Sequence, residues 1–100
     1  MPDNDNDATL LHDAAAAIGV IDAKYRAADF NDKILMKHEV DAAFSAYSAA
    51  RLRLLADGVL STSGDVAAMA NLRMRITQAA DTQSLIAGVV QLATFLAKFA

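Results

Sequence analysis

The chain has 100 residues, 55% of them hydrophobic, and a formal net charge of −3 at pH 7. This length allows one domain with one core. The absence of cysteine excludes disulfides, thiolate metal sites and a cysteine nucleophile, and the acidic balance argues against nonspecific nucleic-acid binding, which requires a dense basic surface.

The N-terminal segment is polar and acidic. Residues 1–7 are expected to form a disordered tail ahead of a single helical domain over residues 8–100. The stretch MPDNDNDATLLHD lacks the basic region of a secretory signal and the arginines of a transit peptide. We therefore expect a cytoplasmic protein.

Two helices are predicted next, over about 8–28 and 32–57, because apolar residues recur there at alternating steps of three and four. The stripe of the first helix is Leu11, Ala14, Ile18, Ile21, Tyr25 and Ala28, and that of the second is Met36, Val40, Ala43, Tyr47, Ala50 and Leu54. Asp29 or Asn31 is suited to cap the second helix. Beside the second stripe runs a seam of small residues, Ala42, Ala46, Ala49 and Ala56, which either admits another backbone or is an ordinary exposed alanine face.

The stretch DGVLSTSGD, residues 57–65, is the clearest break. Gly58 suits the position that follows a helix C-terminus, and Ser61, Thr62 or Ser63 is suited to cap the next helix. A third helix is predicted over about 65–98, because one seam without large apolar residues keeps its phase throughout: Arg73, Thr77, Ala80, Ser84, Ala87, Gln91, Thr94 and Lys98. The alternative is a break near residues 81–82, with a kink or cap at Asp81 or Thr82. The predicted fold is thus an all-α antiparallel bundle of three helices.

The third helix changes character near residue 83. The face beside the polar seam is polar before that point and apolar after it. The C-terminal half of the helix is therefore apolar over more than half its circumference. In a bundle of three helices, so wide an apolar surface favours burial against a partner over burial inside the chain. A central position in the core remains an alternative. The predicted interface comprises Leu85, Val89, Leu92, Phe95, Leu96 and Phe99.

Catalytic and metal-binding patterns are not evident. His12 and His38 have no spacing typical of metal ligands, and the serines and glycines form neither a GxSxG motif nor a phosphate-binding loop. We expect no enzymatic activity, metal or cofactor. The predicted function is a non-catalytic helical module that self-associates, as a homodimer first, or binds a protein partner through the C-terminal apolar helix.

Two other functions remain open. A peripheral membrane protein would use the same helix, but residues 82–97 are short for a span and lack the basic face of a surface-bound helix. A small acidic inhibitor of a larger protein machine would use the first fifty residues, which hold nine acids and four bases.

Overall fold

The computed structural model describes residues 4–57 and 61–100, and its regular structure in these ranges is entirely α-helical. Four helices follow one another: α1 (Asn4–Ala27), α2 (Phe30–Asp57), α3 (Ser63–Gln78) and α4 (Thr82–Ala97). The all-α class is confirmed. The count of three helices is wrong, because the predicted third helix is two helices that fold back on each other.

The first two helices form an antiparallel hairpin with a two-residue connection. Asp29 ends that connection and caps α2, since the Asp32 amide donates to Asp29 Oδ1 at 3.0 Å. In α2 the predicted stripe is buried apart from Tyr47, which is half-buried. In α1 the buried line is centred slightly to one side of the predicted stripe and consists of Leu10, Ala14, Ala17 and Ile21.

Helix α1 begins at Asn4, four residues before the predicted boundary. Its first turn is held by a tertiary contact: buried Asp7 accepts hydrogen bonds from the Ser61 amide, at 2.8 Å, and from the Ser61 hydroxyl. Residues 4–7 are therefore helical, contrary to the prediction of a disordered tail. Residues 1–3 of that tail lie outside the described residues.

Helix α3 begins with a capping box. The Asp65 amide donates to Thr62 Oγ1 at 3.1 Å, and the Thr62 amide donates to Asp65 Oδ2 at 3.0 Å. Of the three residues predicted as caps, Thr62 caps α3, whereas Ser61 donates hydrogen bonds to Asp7 of α1. The predicted helix end at Gly58 lies outside the described residues.

The chain reverses at residues 79–81, where Asp81 starts α4 by accepting a hydrogen bond from the Ser84 amide at 2.7 Å. This is the break that the sequence left as an alternative. Folding back at this point buries the apolar side of α4 on α2. All eight residues of the polar seam are exposed on the resulting hairpin.

The two hairpins pack face to face, α1 chiefly on α3 and α2 chiefly on α4. Two contacts show that α1 and α3 run parallel: Arg73 Nη1 lies 2.8 Å from Asp13 Oδ1, and Lys24 Nζ lies 2.9 Å from the Ala79 carbonyl oxygen. The core between the hairpins includes fully buried side chains from all four helices, the largest being Leu10, Ile21, Met36, Met69, Ile76, Val89, Leu92 and Leu96.

Helices α3 and α4 approach closely at Gly88. A Cβ added there would lie 3.0 Å from Ile76 Cγ1, whereas a Cβ at Gly19 in α1 would meet nothing within 4 Å. Alanine favours a helix over glycine by about 1 kcal/mol, but overpacking a buried site costs about 1–3 kcal/mol.

Gly88→Ala is therefore expected to lower the free energy of unfolding by about 1 kcal/mol, because the fully buried Ile76 must shift. Gly19→Ala is the matched control and should raise it by about 0.5–1 kcal/mol. Urea unfolding followed by circular dichroism measures both. Equal stabilisation by the two substitutions would show that the α3–α4 contact is looser than the structure has it.

Candidate protein-interaction surface

The apolar residues predicted as an interface lie mostly inside the bundle. Leu85, Val89, Leu92, Leu96 and Phe99 are at most 5% exposed and belong to the core, while Phe95 is half-buried against it. The reversal at residues 79–81 places α4 between α2 and α3, and these two helices cover its unusually wide apolar side. The strip is thus covered within the single chain rather than exposed to a partner.

The C-terminal end of α4 is fastened to the rest of the chain. Lys98 Nζ lies 2.6 Å from Asp65 Oδ1, and it also lies 5.9 Å and 5.4 Å from the ring centres of Phe95 and Phe99. Arg53 Nη1 donates to the Ala100 carbonyl oxygen at 3.1 Å. The hydrogen bond from Lys98 lowers the pKa of Asp65 against the opposing effect of partial burial, and bonds from Thr62 lower it further. Lys98 therefore holds the C-terminal end of α4 against the start of α3.

Exposed large apolar side chains are concentrated on α2. Phe30, Ile34, Leu52 and Leu55 are 76%, 60%, 69% and 64% exposed. At about 100° per residue these four lie within a sector of about 60°, opposite the buried stripe. Leu35, 61% exposed, stands to one side of this sector.

We call this side of the helix the α2 outer face. In chain order it consists of Phe30, Ile34, Lys37, His38, Asp41, Ser45, Ser48, Leu52 and Leu55, all of them exposed. Its two apolar ends are about 27 Å apart, measured along the helix from Ile34 to Leu52. The sequence contains a signal for this face in the spacings of four between Phe30 and Ile34 and of three between Leu52 and Leu55. The interface predicted from the sequence did not include it.

The middle of the α2 outer face is polar. Lys37 Nζ lies 3.0 Å from Asp41 Oδ2, and the hydrogen bond and charge of Asp41 raise the pKa of Lys37. His38, Ser45 and Ser48 are exposed alongside this pair. The face is thus apolar at both ends and hydrophilic between them, with short side chains in its C-terminal half.

The other candidate features are the two histidines and a shallow depression between the helical turns. His12 and His38 are exposed on different helices, and within residues 4–57 and 61–100 no three His, Cys, Asp or Glu side chains are grouped to hold a metal ion. A shallow depression lies between the two interhelical turns and is lined by Lys24, Asp32, Asp81 and others. Lys24 there already donates to the Ala79 carbonyl, and Asp81 caps α4, so these groups serve the fold.

Comparison with known proteins adds no assignment: no family model matches the chain, and searches of curated proteins and of solved structures give no significant match. Across the described residues, no helix combines the length and apolar content that a membrane crossing requires.

Proposed function

We propose that the protein is a non-catalytic helical interaction module that self-associates, as a homodimer, through the α2 outer face. The observation that carries this proposal is the placement of four large apolar side chains, each at least 60% exposed, in one narrow sector of the longest helix. Scattered exposed apolar residues are ordinary, but an aligned set on one helix is typical of an association surface.

The magnitudes favour a symmetric pair. Complete burial of one such side chain contributes about 1.5–3 kcal/mol, and the partial exposure found here reduces this to roughly 1–2 kcal/mol. A homodimer buries the set twice, for a gain of roughly 8–16 kcal/mol against an association cost of about 4–15 kcal/mol. A partner that contributed no apolar surface of its own would obtain only half of this gain.

The two other functions raised by the sequence have less support. A membrane surface would have to accommodate the Lys37–Asp41 pair between the apolar ends, and Lys98, the cation nearest the C-terminal helix end, is paired with Asp65. An acidic inhibitor requires free carboxylates in the first half, whereas Asp13, Asp22 and Asp41 are in ion pairs within the chain. A cytoplasmic location stays a prediction.

Light scattering coupled to size-exclusion chromatography tests the proposal on the untagged chain over a hundredfold range of concentration. We expect a mass near twice the 10.6 kDa of one chain. Ile34→Asp with Leu52→Asp should give the monomer mass with unchanged helicity, because both side chains are exposed. Met74→Asp, which changes an equally apolar residue 55% exposed on α3, is the matched control and should leave the dimer intact. A monomer at every concentration, or a dimer insensitive to the double substitution, would contradict the proposal.

A further inference from the structure

The α2 outer face is apolar, then polar, then apolar, in whichever direction it is read. Phe30 and Ile34 at one end correspond to Leu55 and Leu52 at the other, and between them His38 corresponds to Ser48 and Asp41 to Ser45. The position numbers in each of these pairs add to 85 or 86. Residues that face each other across two antiparallel helices have a constant sum of positions. In an antiparallel pair the apolar ends of this face would therefore meet the partner's apolar ends, and the polar middles would meet each other.

We infer that two copies of this chain pair antiparallel along α2, about a two-fold axis level with residues 42–43. This inference rests on the proposed self-association and specifies its geometry. In this register Phe30 packs on the partner's Leu55 and Ile34 on the partner's Leu52, at both ends of the interface. A two-fold axis repeats every contact, which is the usual arrangement of a soluble homodimer.

The polar middle supports the antiparallel direction. In this register Asp41 faces the partner's Ser45, whose hydroxyl donates to the carboxylate, and His38 faces the partner's Ser48. A parallel pair in register would instead place Asp41 against Asp41 and Lys37 against Lys37, which is unfavourable for like charges. Antiparallel helices also bring opposite ends of their macrodipoles together.

The size of the surface is sufficient. The four large apolar side chains, 60–76% exposed, leave roughly 500 Å² accessible in each copy. Pairing them removes roughly 1,000 Å² in total before flanking residues are counted, which reaches the lower limit for a specific interface. The short side chains of Ser45, Ser48 and Ala49 are exposed on this face. In the inferred register they leave room for the partner's longer Asp41, His38 and Lys37.

Cross-linking of single cysteines tests the register, and the natural chain has no cysteine to interfere. Suitable positions are exposed Asn31 and Ala56, on the same flank of the face near opposite ends of α2, and exposed Ser45 near its centre. In the inferred dimer Asn31 lies beside the partner's Ala56, whereas two copies of Asn31 are separated by about 36 Å along the helix axis.

With a short bis-maleimide reagent, Ser45→Cys should cross-link to itself. Asn31→Cys and Ala56→Cys should each fail to cross-link alone, and an equimolar mixture of the two should give a cross-linked dimer. Ala87→Cys, exposed on α4, controls for random collision and should give none. Circular dichroism and light scattering before treatment verify that each variant is folded and dimeric.

The outcomes separate the register from the proposed function. A dimer that dissociates with Ile34→Asp and Leu52→Asp, but in which Asn31→Cys and Ala56→Cys each cross-link alone, would show parallel pairing and overturn only the inference. Absence of a cross-link with Ser45→Cys, or in the mixture of Asn31→Cys and Ala56→Cys, would also overturn only the inference, provided that the dimer dissociates with the two aspartate substitutions. A constant monomer would overturn the proposed self-association itself.

Discussion

Leu92→Asp is expected to unfold the protein rather than to separate it from a partner. Leu92 is fully buried where α4 packs into the bundle, so the substitution removes core packing and places an unpaired carboxylate in an apolar site. Leucine to alanine at such a site already costs about 2–5 kcal/mol, and the charge adds several more, against a total stability of about 5–15 kcal/mol for a domain. Circular dichroism should show loss of helix at room temperature, and Leu92→Ala should remain folded with a lower urea midpoint.

Leu52→Asp is the matched control, because it makes the same chemical change at a side chain 69% exposed on α2. This variant should retain its helicity and its urea midpoint under conditions where it is monomeric. If Leu92→Asp instead kept full helicity and altered only the mass in solution, α4 would be the interface that its sequence suggests, and the packing described above would be incorrect.

Asp7→Ala is expected to lower the free energy of unfolding by about 2–3 kcal/mol, because it leaves the buried amide and hydroxyl of Ser61 without their acceptor. For a domain of this size such a loss lowers the thermal midpoint by roughly 10–20 °C. Thermal unfolding followed by circular dichroism measures it.

Asp13→Ala provides the comparison for Asp7. It removes an ion pair between α1 and α3 in which the Asp13 side chain is 14% exposed but that of Arg73 is 44% exposed. Because Arg73 stays accessible to water when the carboxylate is removed, the cost should be smaller, about 1 kcal/mol. Equal effects from the two substitutions would show that the contact of α1 with the start of α3 is no more important than a surface ion pair.

Much of the fold could be predicted from local pattern. The buried stripe of α2 follows from its apolar spacing, and the caps at Asp29, Thr62 and Asp81 lie among the residues proposed for them. These features depend on neighbours three or four positions away, which the sequence shows directly. The extension of α1 to Asn4 could not be predicted, because it depends on a contact between Asp7 and Ser61, 54 positions apart.

The number of helices illustrates the limit of periodicity. The polar seam keeps its phase from Arg73 to Lys98 and is exposed throughout, yet the chain reverses in the middle of it. In a hairpin whose two helices both turn their polar sides to solvent, the polar residues can keep the spacing that they would have on one continuous helix. Phase therefore indicates which residues face water and does not distinguish one long helix from two.

The apolar width of α4 is visible in the sequence, but only the structure shows that most of this strip is buried within the single chain. A helix apolar over most of its circumference is equally suited to a partner and to a central place in a bundle. The structure takes the second course, because α2 and α3 both pack on α4. The α2 outer face shows the converse, because its short apolar spacings become meaningful only once the structure shows that Phe30, Ile34, Leu52 and Leu55 are each at least 60% exposed.

The sequence by itself determined the all-α class, the main helix boundaries at their caps and the sides that face water, since each follows from interactions within one or two helical turns. Only the tertiary structure decided that there are four helices, that the apolar strip of α4 is core, and that the large exposed apolar set belongs to α2. Those outcomes depend on which surfaces of distant segments are already covered, and this is a property of the packed hairpins rather than of any one stretch of chain.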